Sequence, residues 1–257
     1  MRVRATRRFS LLRPSARCLP LAMVCALFAA PCAHAQDAGA TPREVAPFDP
    51  TGYWVAVVTE DWRWRMVTPP KGDYASVPLN QRGRAVADAW DPGEPTSCKA
   101  YGAAGVMRMP LRLRLSWADE RTLRIETDHG MQTRLLRFTA DAGAVDASLS
   151  LQGHSVARWE GNPGGRFEFV VVPPELSHLE VVTTNLVPGY LRRNGVPYSE
   201  STVLTEYFDH HTDFGEEWLT VTSIVDDSVY LTEEFITSSS FKRLPDGSSW
   251  NPTPCQD

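Results

Sequence analysis

Leu111-Arg112-Leu113-Arg114-Leu115-Ser116-Trp117 carries an apolar side chain at every second position and a charged or polar one between. Successive side chains of an extended chain point to opposite faces, so the stretch predicts a β-strand with one buried face and one wet face. Leu123-Arg124-Ile125-Glu126-Thr127 repeats the alternation, and Thr133 to Phe138 follows after another short polar turn. Three such strands in succession make an antiparallel meander.

Upstream, Tyr53 to Thr59 is β-rich, and Trp62-Arg63-Trp64-Arg65-Met66 alternates like a half-buried strand ended by Pro69-Pro70-Lys71-Gly72. Asn80 is placed to cap one short helix reaching about Trp90, with Val86 and Trp90 on one face, before Asp91-Pro92-Gly93 stops it. Downstream, strands are predicted at 155–160, 166–172, 179–185, 202–208, 217–225 and 234–241. With roughly 8 to 10 strands, one helix and no visible repeat of 20 to 50 residues, the pattern suits an all-β closed antiparallel barrel or a sandwich. Closure of a barrel also removes exposed strand edges.

The chain has 257 residues. Arg2, Arg4, Arg7, Arg8, Arg13 and Arg17 precede a short apolar run, Leu19 to Ala30, and Ala33-His34-Ala35 then offers a small-x-small cleavage site. That order predicts a bacterial-type signal peptide over 1–35, cleaved after Ala35, and hence a periplasmic or secreted protein. Thr6-Arg7-Arg8 with Leu11 is similar to the twin-arginine export consensus, with Ser10 in place of its usual aromatic. Residues 36–50 are polar, small and proline-bearing and read as a flexible lead-in, which leaves 51–257 as one barrel domain. No later stretch reaches the roughly 18 apolar residues of a membrane span. Removing the six signal arginines from 26 basic residues leaves 20 against 31 acidic ones, a surface that disfavours nucleic acid. Cys18, Cys25 and Cys32 leave with the signal, and Cys98 and Cys255 are then expected to form one disulfide.

Two resemblances add to this reading. Leu79-Asn80-x-x-Gly83-Arg84, Ser155-Val156-Ala157-Arg158-Trp159-Glu160-Gly161, Val181-Val182-Thr183-Thr184, Asn194-Gly195-Val196-Pro197-Tyr198-Ser199-Glu200, Leu204-Thr205-Glu206-Tyr207-Phe208 and Trp250 to Cys255 resemble blocks of an uncharacterised family of exported bacterial proteins, with Asn162 to Ser177 as an insertion. That family implies no activity. Gly52-Tyr53-Trp54 is similar to the lipocalin Gly-x-Trp, and Arg243 stands where that family's basic residue packs across the tryptophan. Thr205-Glu206-Tyr207 is similar to the same family's Thr-Asp-Tyr, although it falls inside a predicted strand. The lipocalin resemblance implies an up-and-down barrel with a ligand inside.

Several residues are able to carry chemistry. Glu206 shares a strand face with Leu204 and Phe208 and is expected to point inward, while Arg158 and Glu160 share a face with Val156 on an earlier strand. A buried carboxylate near an arginine orients a polar ligand or acts as a general base; the structural alternatives are an internal ion pair or an inward face opposite to this one. Trp62 and Trp64, interleaved with Arg63 and Arg65, suit an aromatic ligand mouth or plain core filling. Tyr207 joins them as a candidate ligand contact, with the loops at Asn194-Gly195 and Tyr198-Ser199-Glu200 in second rank. Asp209-His210-His211-Thr212-Asp213 reads as a solvated hairpin connection, since adjacent histidines of an extended chain face opposite ways. Gly153-His154-Ser155-Val156-Ala157 lacks the second glycine and the following helix of a nucleophile elbow and reads as the start of a strand.

No cofactor and no metal is implied. The leading expectation is an exported barrel that binds a small, largely apolar molecule in its interior, with enzymatic activity left open. The alternatives are a cofactor-independent isomerase or hydrolase with Glu206 or His154 moving protons, and a structural envelope module without a cavity.

Overall fold

Nine strands close into a barrel whose neighbours follow chain order almost all the way round. The computed structural model describes residues 40–93, 98–139, 148–161, 166–167, 170–171 and 177–255; residues 1–39, with the expected export signal, lie outside them. In chain order the elements are β1 (Gly52–Ala56), α1 (Trp62–Arg65), α2 (Gln81–Ala89), a 3-10 turn (Lys99–Tyr101), α3 (Ala103–Val106), β2 (Arg112–Asp119), β3 (Thr122–Thr127) and β4 (His129–Gly130). Then come β5 (Thr133–Arg137), β6 (His154–Glu160), β7 (Arg166–Phe167), β8 (Val170–Val171), β9 (His178–Thr184), β10 (Gly189–Arg192), β11 (Val196–Tyr198), β12 (Val203–Asp213), β13 (Glu216–Asp226), β14 (Phe235–Leu244) and β15 (Thr253–Pro254). The barrel order is β1-β14-β13-β12-β9-β6-β5-β3-β2, closed by β1 against β2.

Eight of the nine neighbouring pairs are antiparallel and one, β5 with β6, is parallel. An odd number of strands cannot alternate direction around a closed ring, so one parallel pair is a geometric necessity. Parallel neighbours cannot be joined by a tight hairpin, and β5 and β6 are accordingly separated by 16 residues of chain. The predicted all-antiparallel barrel is corrected at this one seam.

The alternation read from the sequence sets the inner face. Leu113, Leu115, Leu123, Ile125, Leu136, Leu179, Val181, Phe208, Leu219 and Phe241 all point inward and are buried, while Arg112, Arg114 and Arg124 lie on the outer face. Large side chains fill the barrel from Trp54 near one end to Glu206 near the other. A second apolar cluster caps the Glu206 end, where Tyr74, Val77, Ala87, Leu191, Val196 and Tyr198 pack onto Leu204, Val225 and Phe235.

Several local expectations change. Trp62 to Met66 forms no strand: the Trp64 and Arg65 N–H groups both donate to Asp61 O, at 2.9 and 3.1 Å, and wind the segment into α1 outside the barrel. A five-residue alternation also satisfies i, i+3 spacing, and here the buried residue is Arg65, with Trp62 54% exposed. The α2 helix forms as predicted, with the Asn80 side chain accepting from Gly83 N–H at 2.8 Å. Its buried face is Gly83 and Ala87; Val86 faces outward. Asp209 to Asp213 is strand and not a turn, because the reversal sits at Phe214-Gly215, both at positive φ, a two-residue loop that matches the twist of β12 and β13. The predicted strand at 166–172 resolves into the small β7–β8 hairpin, outside the barrel sheet. Residues 40–50 of the lead-in pack on the barrel end, with Trp159 donating to Pro42 O at 2.8 Å.

Cys98 and Cys255 are bridged, with their Cα atoms 5.6 Å apart. The bridge and the parallel pairing of β15 with β4 tie the C-terminus to the capped end. Among the described residues no helix is long and apolar enough to cross a membrane.

Candidate functional site

The six residues singled out as ligand contacts do not converge. Trp62 and Trp64 sit on α1. Arg158 and Glu160 occupy the outer face of β6 and pair with each other at 2.6 Å, while Arg158 also pairs with Glu180. Their inward neighbours are Ser155, Ala157 and Trp159, so sharing a face with Val156 puts them outside. Tyr207 likewise lies on the outer face of β12, edge-on to His178 at 5.3 Å. Only Glu206 points into the barrel.

Glu206 is fully buried, and its partner is Arg134 of β5. The guanidinium grips both carboxylate oxygens, at 2.6 and 3.2 Å, and reaches Thr183 Oγ1 at 3.3 Å, which in turn lies 2.8 Å from Ser155 Oγ. A bidentate pair of this kind satisfies charge and hydrogen bonding together, as a buried ion needs. The sequence did contain a signal for Arg134, because it shares the face of Leu136 and Phe138 and so stands at an inward position of a legible strand. Near this pair, burial pushes the Tyr198 hydroxyl up, against an opposing pull from Arg134, and Tyr198 Oη has no hydrogen-bond partner. The Tyr198 ring is seated between Gly102 and Gly189, where any Cβ would collide with it. His154, at the same end, is held below its ordinary pKa first by burial and then by Arg137.

At the opposite end, aromatic side chains close the barrel. Phe48 of the lead-in stacks on His210 at 5.2 Å and meets Trp159 edge-on at 5.3 Å, while Phe138 bridges Trp159 and Trp117 at 5.4 and 5.6 Å. The Trp54 indole donates to Pro50 O at 3.0 Å, and the Arg243 guanidinium lies 5.3 Å from its ring centroid. Arg243 also donates to Thr51 O and to Glu217, both at 2.8 Å, so it fastens the entry to β1 as well as covering Trp54. His210 and His211 do face opposite ways, His210 toward Phe48 and His211 onto Trp218. Beside the plug is a cleft of about 370 Å³ lined by Arg43, Ala46, Phe48, Asp49, Pro50, Thr51 and Trp117. Its lining includes two aromatic residues, one cation and one carboxylate. Among the described residues no group of three or more His, Cys, Asp or Glu side chains is placed to hold a metal ion.

No protein-family model, no curated protein and no solved structure matches the chain.

Proposed function

We propose that this chain is an exported β-barrel protein that binds a small, largely apolar molecule, periplasmic or secreted after cleavage behind Ala35. The observation that carries the reading is the open cleft of about 370 Å³ at the plugged end, whose lining is more polar than apolar and whose apolar part is the Phe48 and Trp117 rings. Phe48 and Trp117 offer apolar contact, while Arg43, paired with Glu120 at 3.0 Å, and Asp49, which accepts from Thr51, stand on the polar side. With the barrel filled by its own side chains, the ligand belongs at this mouth and not deep inside. The Arg243 contact over Trp54 supports the lipocalin-like reading of the closed end. Export is supported by the arginine-rich N-terminus and by the Cys98–Cys255 bridge, which suits an oxidising compartment.

The test is native mass spectrometry of protein purified gently from the periplasm, followed by organic extraction. A stoichiometric small molecule that is lost in Phe48→Ala and Trp117→Ala variants supports the reading; an empty protein whose tryptophan fluorescence responds to no apolar ligand overturns it. A second reading, an envelope module that holds no small molecule, draws on the filled barrel and would then stand.

A further inference from the structure

Arginines gather under α1, on the far side of the barrel from the cleft. Arg65, Arg108 and Arg192 are each more than nine-tenths buried. Arg65 donates from Nε to Arg108 O at 3.2 Å and from Nη1 to Val57 O at 2.9 Å. Arg108 pairs with Asp61 at 3.0 Å, and Arg192 donates to Ala75 O at 2.7 Å with its guanidinium 4.9 Å from the centroid of the Trp64 ring. Arg193 joins them through a 2.9 Å bond to Arg65 O.

These groups are short of acceptors. Arg65 Nη2, Arg108 Nη1, Arg192 Nε, Arg193 Nε and Trp64 Nε1 are all buried and have no hydrogen-bond partner. Charge is unbalanced as well. Counting Arg63, which lies over Trp64 and pairs with Asp73, five guanidinium groups meet three carboxylates, Glu60, Asp61 and Asp73, among the described residues. Burial and then the neighbouring Arg108 push Arg192 down to about 10, and the same two causes lower Arg65. Buried cations persist when they are paired, and a buried donor without an acceptor is costly. A water molecule would satisfy a donor and leave the charge; an anion satisfies both.

We infer that Arg65, Arg108 and Arg192, with the Trp64 indole N–H, form a binding site for a tetrahedral oxyanion, a phosphate or sulfate that is either free or the terminal group of a larger molecule. Guanidinium forks match such oxygens in geometry and remain charged at any physiological pH. The exposed side of the site carries Asp61, Glu60 and Arg63, all at least two-fifths exposed in their side chains.

The exported chain, freed of anions by dialysis, is titrated with inorganic phosphate and sulfate by calorimetry and thermal unfolding at constant ionic strength. A saturable, one-to-one response is expected, weakened about tenfold or more in Arg108→Gln and Arg192→Gln and unchanged in Lys71→Gln. A response that never saturates, or that is equal in all variants, overturns the inference. If either arginine variant fails to fold, a crystal of the unaltered chain soaked in selenate decides by anomalous scattering: a peak between Arg65, Arg108 and Arg192 supports the site, and its absence overturns it. Mass spectrometry of the extracted ligand then separates a free ion from an organic phosphate or sulfate.

Discussion

Glu206 and Arg134 form the most demanding contact in the barrel, two opposite charges that are both about fully buried. Breaking one side of such a pair strands the other, so Glu206→Gln is expected to cost about 3 to 5 kcal/mol, read from the shift in urea midpoint. Replacing both residues together, Arg134→Met with Glu206→Leu, should recover most of that loss, since a well-packed apolar pair removes the stranded charge. His154 makes a second prediction at this scale. Its folded pKa lies below the ordinary 6.5, so the unfolded chain takes up a proton first as the pH falls, and stability declines from about 6.5 downward until the folded form also protonates. Above that value both states are neutral and the group is silent. His154→Gln should therefore flatten part of the fall in denaturation midpoint that sets in near pH 6.5 and continues downward, and an unchanged slope would show that other groups carry it.

The seat of α2 separates local preference from packing at the scale of elements. An alanine at Gly83 would gain helix propensity of about 1 kcal/mol. Its Cβ, however, would press on the Tyr230 carbonyl oxygen and the Leu79 side chain, and backbone does not swing aside. Contact wins, and Gly83→Ala is expected to destabilise by about 1 to 3 kcal/mol in thermal unfolding, although a free helix would favour it. This explains why the predicted face through Val86 and Trp90 is not the buried one: the helix rests on its smallest residues because a neighbouring chain passes so close. Strands β2 and β3 are legible from an alternation sustained over several residues, and β12, β13 and β14 from β-prone runs at short spacing. α1 was not, since five residues cannot distinguish a period of 2 from a helical turn when arginine, and not tryptophan, is the side chain that the tertiary structure buries.

At the scale of the whole molecule, the bridge between Cys98 and Cys255 spans 157 positions and holds the last strand to the capped end. Reduction, or Cys98→Ser with Cys255→Ser, should lower the unfolding free energy by about 2 to 4 kcal/mol. Hydrogen exchange should also speed up at the Thr253 N–H, which donates to Asp128 O at 2.9 Å. Equal melting temperatures with and without reductant would show that the tail is held by its other contacts. The two barrel ends are closed differently, one by aromatic rings from the lead-in and the other by an apolar cap with buried arginines around it. A change at either end therefore acts on a separate set of contacts, and paired variants across the barrel should add in their effects within about 0.5 kcal/mol.

The sequence by itself determined the strand-rich character of this protein, the inward face of β2, β3 and β12, the Asn80 cap and the pairing of the two late cysteines. Each rests on chemistry local in the chain or, for the cysteines, on there being a single possible pair. It also placed Glu206 inside, because alternation within one strand assigns faces. Tertiary structure alone decided which cation meets Glu206, which seam runs parallel, where the lead-in docks and how Arg65, Arg108 and Arg192 come together. Those outcomes depend on closure of the sheet and on contacts between separate segments, 19 positions apart at the parallel seam, 43 for Arg65 with Arg108 and 72 for Arg134 with Glu206, so no single element contains both partners.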